Sequence, residues 1–315
     1  MEQYMIENEI PLIKWSQTTP KNGLLHFIGP SNGGSKVRAE LNRLEMAQFS
    51  ELLCDLGDLP AAQSYNTHEI LQELQEAFGL TVSCLSNQLP ASAKDAYLKR
   101  FLNPAIIDHA PQPQFEEYVC IGIQKHMLPQ NFTFEARKHI RLGALQADIE
   151  RAEVLLRNTD VAWVDLNVLR LADNLGSSSN STAGLSVEEF CTIARYIGAS
   201  TKLKSVIVSG YNENQDHFGM SAKNIALFLY YLLEGLKIRR KEESQSEDFQ
   251  EYTVVHDLTS SELVFLEDKR SGRWWIKVYS SDAEEDVKLP CTRLDYDEAC
   301  NNQISERITS ILALV

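Results

Sequence analysis

Short unbroken apolar runs, separated by amphipathic stretches, set the rhythm of the first 240 residues. LLHFIG (24–29), LTVSCLS (80–86), AIIDH (105–109), YVCIGI (118–123), VAWVDL (161–166) and SVIVSGY (205–211) are of strand length and apolar at successive positions, the mark of strands covered on both faces. Between them the spacing predicts helices over 36–56, 67–78, 91–101, 134–157, 187–197 and 221–238. Strands alternating with helices imply a parallel sheet between helical layers, an α/β fold. The Val187 helix has the most definite start, because Ser186 followed three residues later by Glu189 is a capping-box pattern.

Beyond Arg239 the rhythm changes. The charged, apolar-poor run RRKEESQSEDF (239–249) divides the chain into a core, 1–240, and a C-terminal extension, 241–315, expected to pack on it. ELVFLED (262–268) and RWWIKVY (273–279) are β-rich and flank KRSG, so Lys269 to Gly272 predicts a hairpin turn. Trp274 and Trp275, adjacent on a strand, must face opposite sides. A last amphipathic helix is expected from Asp295 to Leu314.

With 315 residues, 43% of them hydrophobic, the chain can bury a full core. Its 30 basic against 44 acidic residues give a formal charge of −14, which repels phosphate backbones and anionic membranes. Neither nucleic acid nor membrane is an expected partner. The six cysteines are scattered without a C-x-x-C pair, so they read as reduced, mostly buried thiols. No basic, then apolar leader opens the sequence, and no run reaches about 18 apolar residues. A cytoplasmic protein is expected. No G-x-G-x-x-G follows a strand and no G-x-x-x-x-G-K-[ST] occurs, which leaves nucleotide binding without a warrant. The Gly-rich SNGGS (31–35) reads as a turn, and the seven histidines contain no H-x-x-x-H pair.

The informative chemistry lies where VAWVDL ends. Asp165 and Asn167 stand two apart, and side chains two apart on a strand point the same way. An Asp-x-Asp there would aim two oxygen ligands at one hard cation, whereas Asn167 supplies a neutral amide. A loop of small residues follows, then Gly184, Leu185 and Glu188/Glu189 at a capped helix start. This segment resembles the ureohydrolases, the arginase, agmatinase and formiminoglutamase family, in which the strand ends Asp-x-Asp and a Gly-Leu-x-x-x-Glu helix start follows. The likeness extends over about 23–237. It is strongest from Leu142 to Arg239, and GPSNGGSKVRAELNRL (29–44) is similar to the family's Gly/Pro loop and following helix. The Trp274–Trp275 hairpin and the PCTRLDYDEACNNQI helix start are similar to a divergent bacterial arginase-like or formiminoglutamase-like branch.

The resemblance implies a three-layer α/β/α domain with a mainly parallel sheet of about eight strands. It also implies two manganese ions at the C-terminal strand ends, whose bridging hydroxide attacks a guanidinium or amidine carbon. The family draws its ligands from three motifs, and here each is degraded. In the first, Gly-Gly-Asp/Ser-His, Ser86, Asn87 and Gln88 end the strand, with Gln88 in place of the His. In the second, Asp-x-His-x-Asp, Asp108 is kept, but Ala110 and Gln112 stand where the His and second Asp belong. His109, one residue off, is expected to turn to the opposite face. The third gives Asp165 and Asn167. Gly210 falls at the position of the carboxylate that grips the guanidinium, in VSGYNENQD, where Asn212 and Asp216 keep the rest of the stretch. Gln124 and Lys125 replace an Arg-Asp pair, and Lys125 would add positive charge there.

Asp108 and Asp165 therefore remain as vestigial metal-competent oxygens, short of a two-metal centre, and no cofactor is expected. Three readings stay open. A noncatalytic family member would serve as a structural or regulatory partner, as a homo-oligomer or with a related active subunit. A manganese-dependent enzyme would hydrolyse a linear amidine or guanidine C–N bond. A binding protein would hold a small polar metabolite in the vacated cleft.

Overall fold

The longest apolar runs form the middle of a sheet. The structure, a computed structural model, describes residues 25–59, 67–86, 88–176, 181–239, 249–256, 261–269, 271–280 and 285–312. Asn87, Arg270, the loop residues 177–180 and the charged run from 240 to 248 lie outside these. The chain divides into two compact units, one comprising 1–133 and 140–240, the other 134–139 and 241–315.

In the first unit the elements follow in the order β1 (Leu25–Gly29), α1 (Gly34–Leu41), β2 (Leu53–Asp58), α2 (Thr67–Phe78), β3 (Thr81–Cys84), α3 (Ala91–Leu98), β4 (Pro104–Ile107), β5 (Val119–Ile123), β6 (His139–Arg141), α4 (Leu142–Ala147), α5 (Glu150–Leu156), β7 (Val161–Asp165), α6 (Val187–Gly198), β8 (Ser205–Ser209) and α7 (Met220–Ile238). The eight strands make one sheet in the order β2-β1-β3-β8-β7-β4-β5-β6, and the ladders from β2 through β5 are all parallel. Strands β1, β3, β4, β7 and β8 are buried along their whole length, as their unalternating apolar sequences require. Thr81 Oγ1 and Tyr97 Oη meet Ser205 Oγ at 3.2 and 2.9 Å, which satisfies hydroxyls enclosed by the core. Helix α6 starts at the predicted capping box. Ser186 Oγ accepts the Glu189 N–H and Glu189 accepts the Ser186 N–H.

Two predicted helices are corrected. Residues 36–56 hold only α1, a 3-10 turn at Ala47–Phe49 and the edge strand β2. Asp55 and Asp58 in this strand are tolerated because Arg38 of α1 donates to both, at 2.6 and 2.8 Å to Asp55. Residues 134–157 break into β6, α4 and α5. Glu135 donates its N–H to His139 Nδ1 at 2.9 Å while its carbonyl accepts the His139 N–H, closing a turn. Asp148 leaves the helical conformation and accepts the Glu150 N–H.

The second unit carries β9 (Phe249–His256), β10 (Ser261–Asp268), β11 (Trp274–Ser280), β12 (Glu285–Cys291), α8 (Arg293–Cys300) and α9 (Glu306–Leu312). Its strands form an antiparallel sheet in the order β12-β11-β10-β9. The predicted hairpin is the β10–β11 pair, with Leu266 opposite Trp275. Gly272, at φ +68°, donates its N–H to the Asp268 carbonyl across the turn. Trp274 stacks on Tyr252 and Tyr296, and Trp275 meets Phe249 edge-on. Both indoles are thus buried against aromatic partners, on opposite faces of the strand. Strands β9 and β12 were not foreseen. The single terminal helix is also corrected. Asn302 takes a left-handed conformation at φ 57°, the Gln303 N–H returns to the Glu298 carbonyl, and α9 starts afresh after Ser305.

Candidate functional site

Strands β3, β8, β7 and β4 are neighbours in the sheet and run parallel, so their C-terminal ends lie side by side. This edge is the usual ligand edge of an open α/β sheet. Asp165 is the last residue of β7, Asp108 follows β4, Gly210 follows β8, and Gln88 lies four residues past the end of β3. Asp165 is 4% exposed. Its Oδ1 accepts the Asn167 N–H at 2.9 Å, and its Oδ2 accepts Nε2–H of Gln88 at 2.5 Å. Gly210 closes against the same pair. A Cβ placed there would stand 3.1 Å from Asp165 Oδ1 and 3.2 Å from Gln88 Nε2.

Asp108 is held from other directions. Its Oδ1 accepts the Ala110 N–H at 3.1 Å, and Nζ of Lys94, from α3, lies 3.7 Å from its Oδ2. Nδ1 of His109 sits 3.2 Å from Asp108 Oδ1, without the alignment of a hydrogen bond. Burial drives the Asp108 carboxyl up, but His109, the Lys94 charge and the Ala110 N–H outweigh it and hold the group below the usual carboxylate range. Asp165 moves the other way. Burial, then the negative charge of Asp108, push it up, against the smaller opposing pull of Lys94, Asn167 and Gln88. Burial lowers His109, yet contact with Asp108 and the charge of Asp165 carry it above the ordinary imidazole value.

Gln88, Asp108, Asp165 and Asn167, expected at one sheet edge, lie there, and Gly210 joins them. The structure corrects the orientation of Asn167. Strand β7 ends at Asp165, residues 166–168 form a 3-10 turn, and the alternation that would align the two side chains stops. His109 is likewise corrected. Strand β4 ends at Ile107, so His109 is past the pleat and meets Asp108 instead of facing away. Gln112 is exposed and precedes a 3-10 turn at Pro113–Phe115. Lys125 is exposed, while Gln124 is buried and donates to the Ala183 carbonyl at 2.9 Å. The buried ammonium beside the acids is Lys94, which the sequence reading missed. A signal existed: Lys94 shares one face of α3 with Tyr97 and Leu98, three and four residues on, and all three are buried. Asp216 serves structure, its carboxylate accepting the N–H groups of Ser221 and Ala222 at the start of α7.

No protein-family model and no curated protein matches this sequence. Solved structures do match. A Trypanosoma cruzi formiminoglutamase variant with Mn²⁺ superposes with a TM-score of 0.59 at 16% identity, covering 71% of this chain and 97% of that one. Bacillus subtilis arginase gives 0.54 at 15%, covering 70% and 100%. The Streptomyces clavuligerus proclavaminate amidino hydrolase gives 0.56 at 15%, covering 70% and 94%. This chain has the ureohydrolase fold. At such identities the likeness is one of fold, and a fold does not by itself carry an activity.

A ureohydrolase-fold metal centre needs several anionic oxygens with imidazoles at fixed strand ends. Here the side chains turned toward the two carboxylates are N–H donors. Gln88 presents its amide nitrogen to Asp165, and Lys94 presents an ammonium to Asp108. Among the described residues no group of three or more His, Cys, Asp and Glu side chains is placed to hold a metal ion. These residues do not fit a two-manganese centre.

Proposed function

We propose that this protein is a noncatalytic ureohydrolase-fold protein that acts by binding, as a structural or regulatory partner. The observation that carries the reading is the Gln88–Asp165 hydrogen bond of 2.5 Å. A carboxylate that accepts an amide N–H there, and a backbone N–H on its other oxygen, has one lone pair on each oxygen engaged by protein where an enzyme of this fold would offer it to a metal. Gly210 supports it further, since a position without a side chain offers no carboxylate to pair with a planar cation. All six cysteines are free, in keeping with the reducing cytoplasm. Among the described residues no helix is long and apolar enough to cross a membrane.

The test is turnover. Protein purified without chelator and supplied with Mn²⁺ is expected to release no urea, ammonia or formamide from arginine, agmatine or formiminoglutamate. Turnover that Asp165→Ala abolishes would overturn the reading and establish a C–N hydrolase.

A further inference from the structure

Lys94 has no part in the ligand pattern that the fold leads one to expect, yet its ammonium lies beside the acids, together with the His109 imidazole. Lys94 is 6% exposed. Its Nζ is 3.7 Å from Asp108 Oδ2, 5.1 Å from the centroid of the Phe115 ring and 5.4 Å from that of Trp163. A lysine is almost never buried to this extent unless its charge is paired, and two aromatic faces beside a carboxylate are a favourable enclosure for an ammonium. The enclosure is built. Trp163 is fixed by an Nε1–H bond to Ser209 Oγ at 2.9 Å and by the edge of Tyr97, whose hydroxyl is tied to Ser205.

We propose that the Lys94 ammonium is a built-in cation that takes the place of divalent metal at this strand edge, pairing with Asp108 and offsetting part of the repulsion between Asp108 and Asp165, so that the folded protein needs no ion. The proposal deepens the noncatalytic reading and supplies its physical cause. Two buried carboxylates on adjacent strands repel each other strongly, and such a pair needs a cation or a proton between them. In this chain the cation arrives on a helix as a side chain. A fixed ammonium also excludes a divalent ion, because both cannot occupy the few ångströms around Asp108 without strong repulsion.

The experiment compares Mn²⁺ binding by calorimetry and thermal melting of the full-length protein, Lys94→Met and Lys94→Met/Asp108→Asn. The unmodified protein should melt at the same temperature with Mn²⁺ or with chelator. Lys94→Met should melt roughly 5–10 °C lower, bind Mn²⁺ at least about tenfold more tightly than the parent, and recover stability when Mn²⁺ is added. The double variant should regain stability without metal and lose the response to it. If Lys94→Met does not fold, recovery of folding in the double variant supports the proposal, and failure to recover overturns it. A Lys94→Met protein as stable as the parent, with no gain in Mn²⁺ affinity, also overturns it. Turnover by the unmodified protein without metal would remove the noncatalytic reading while leaving the role of Lys94 intact. A missing Mn²⁺ response in Lys94→Met would do the reverse.

Discussion

At the scale of single residues, the site is governed by where N–H donors point. Asp165 and Asp108 could be read in the sequence because each closes an apolar run, and an acid at the end of a buried strand is a conspicuous exception to the pattern around it. The partners were harder. Gln88, Lys94 and Gly210 come from three other segments, and what they do depends on which strand ends are neighbours. Gly210 makes this concrete, since its φ of +89° lies where side chains are strained and a Cβ would press on both Asp165 and Gln88. Gly210→Ala is expected to cost about 1–3 kcal/mol, read as a lower urea midpoint. An unchanged midpoint would show that the loop after β8 is free to rearrange. The same geometry means that placing a glutamate at 210 requires the backbone to move first.

At the scale of elements, caps and charge pairs decided boundaries that periodicity left open. The α6 start was legible because a capping box is local, whereas β2 was not. A segment with Asp55, Gly57 and Asp58 reads poorly as a strand until Arg38 is brought across from α1. The break between α8 and α9 has a similar origin. Asp295, at the start of α8, accepts from Thr292 N–H, from Ser305 Oγ at 2.8 Å and from Arg307 of α9. Burial pushes its carboxyl up, but the Arg307 charge and these hydrogen bonds hold it below the usual range. A carboxylate with a lowered folded-state pKa contributes stability that is fully present above its unfolded value, near pH 4, and is lost as pH falls through the folded value. Asp295→Asn should therefore cost about 2–3 kcal/mol at pH 7, where part-buried Arg307 loses its carboxylate partner. That deficit should shrink in urea melts below about pH 4. A deficit that stays constant with pH would refute the charge argument.

At the scale of the whole molecule, the formal charge of −14 sets long-range behaviour regardless of fold. The chain should show no retention on duplex DNA even at about 50 mM salt, where screening is weak and a basic protein would bind. A measurable shift of labelled duplex in an electrophoretic assay would reveal a basic surface that the total conceals. What the sequence by itself determined is what depends on local order. The continuous apolar runs required strands covered on both faces, the alternation with helices required a parallel sheet, and the two acids were visible at strand ends. The tertiary structure alone decided the rest, for three physical reasons. Strand order, which set β7 between β8 and β4, determined which loops meet. The end of each strand, and not its sequence, determined where alternation stopped, so that His109 came to Asp108 and Asn167 turned its backbone to Asp165. Electrostatic balance among buried groups is a property of three-dimensional distance, and Lys94 and Asp108, 14 residues apart in the chain, became an ion pair only when α3 folded over the end of β4.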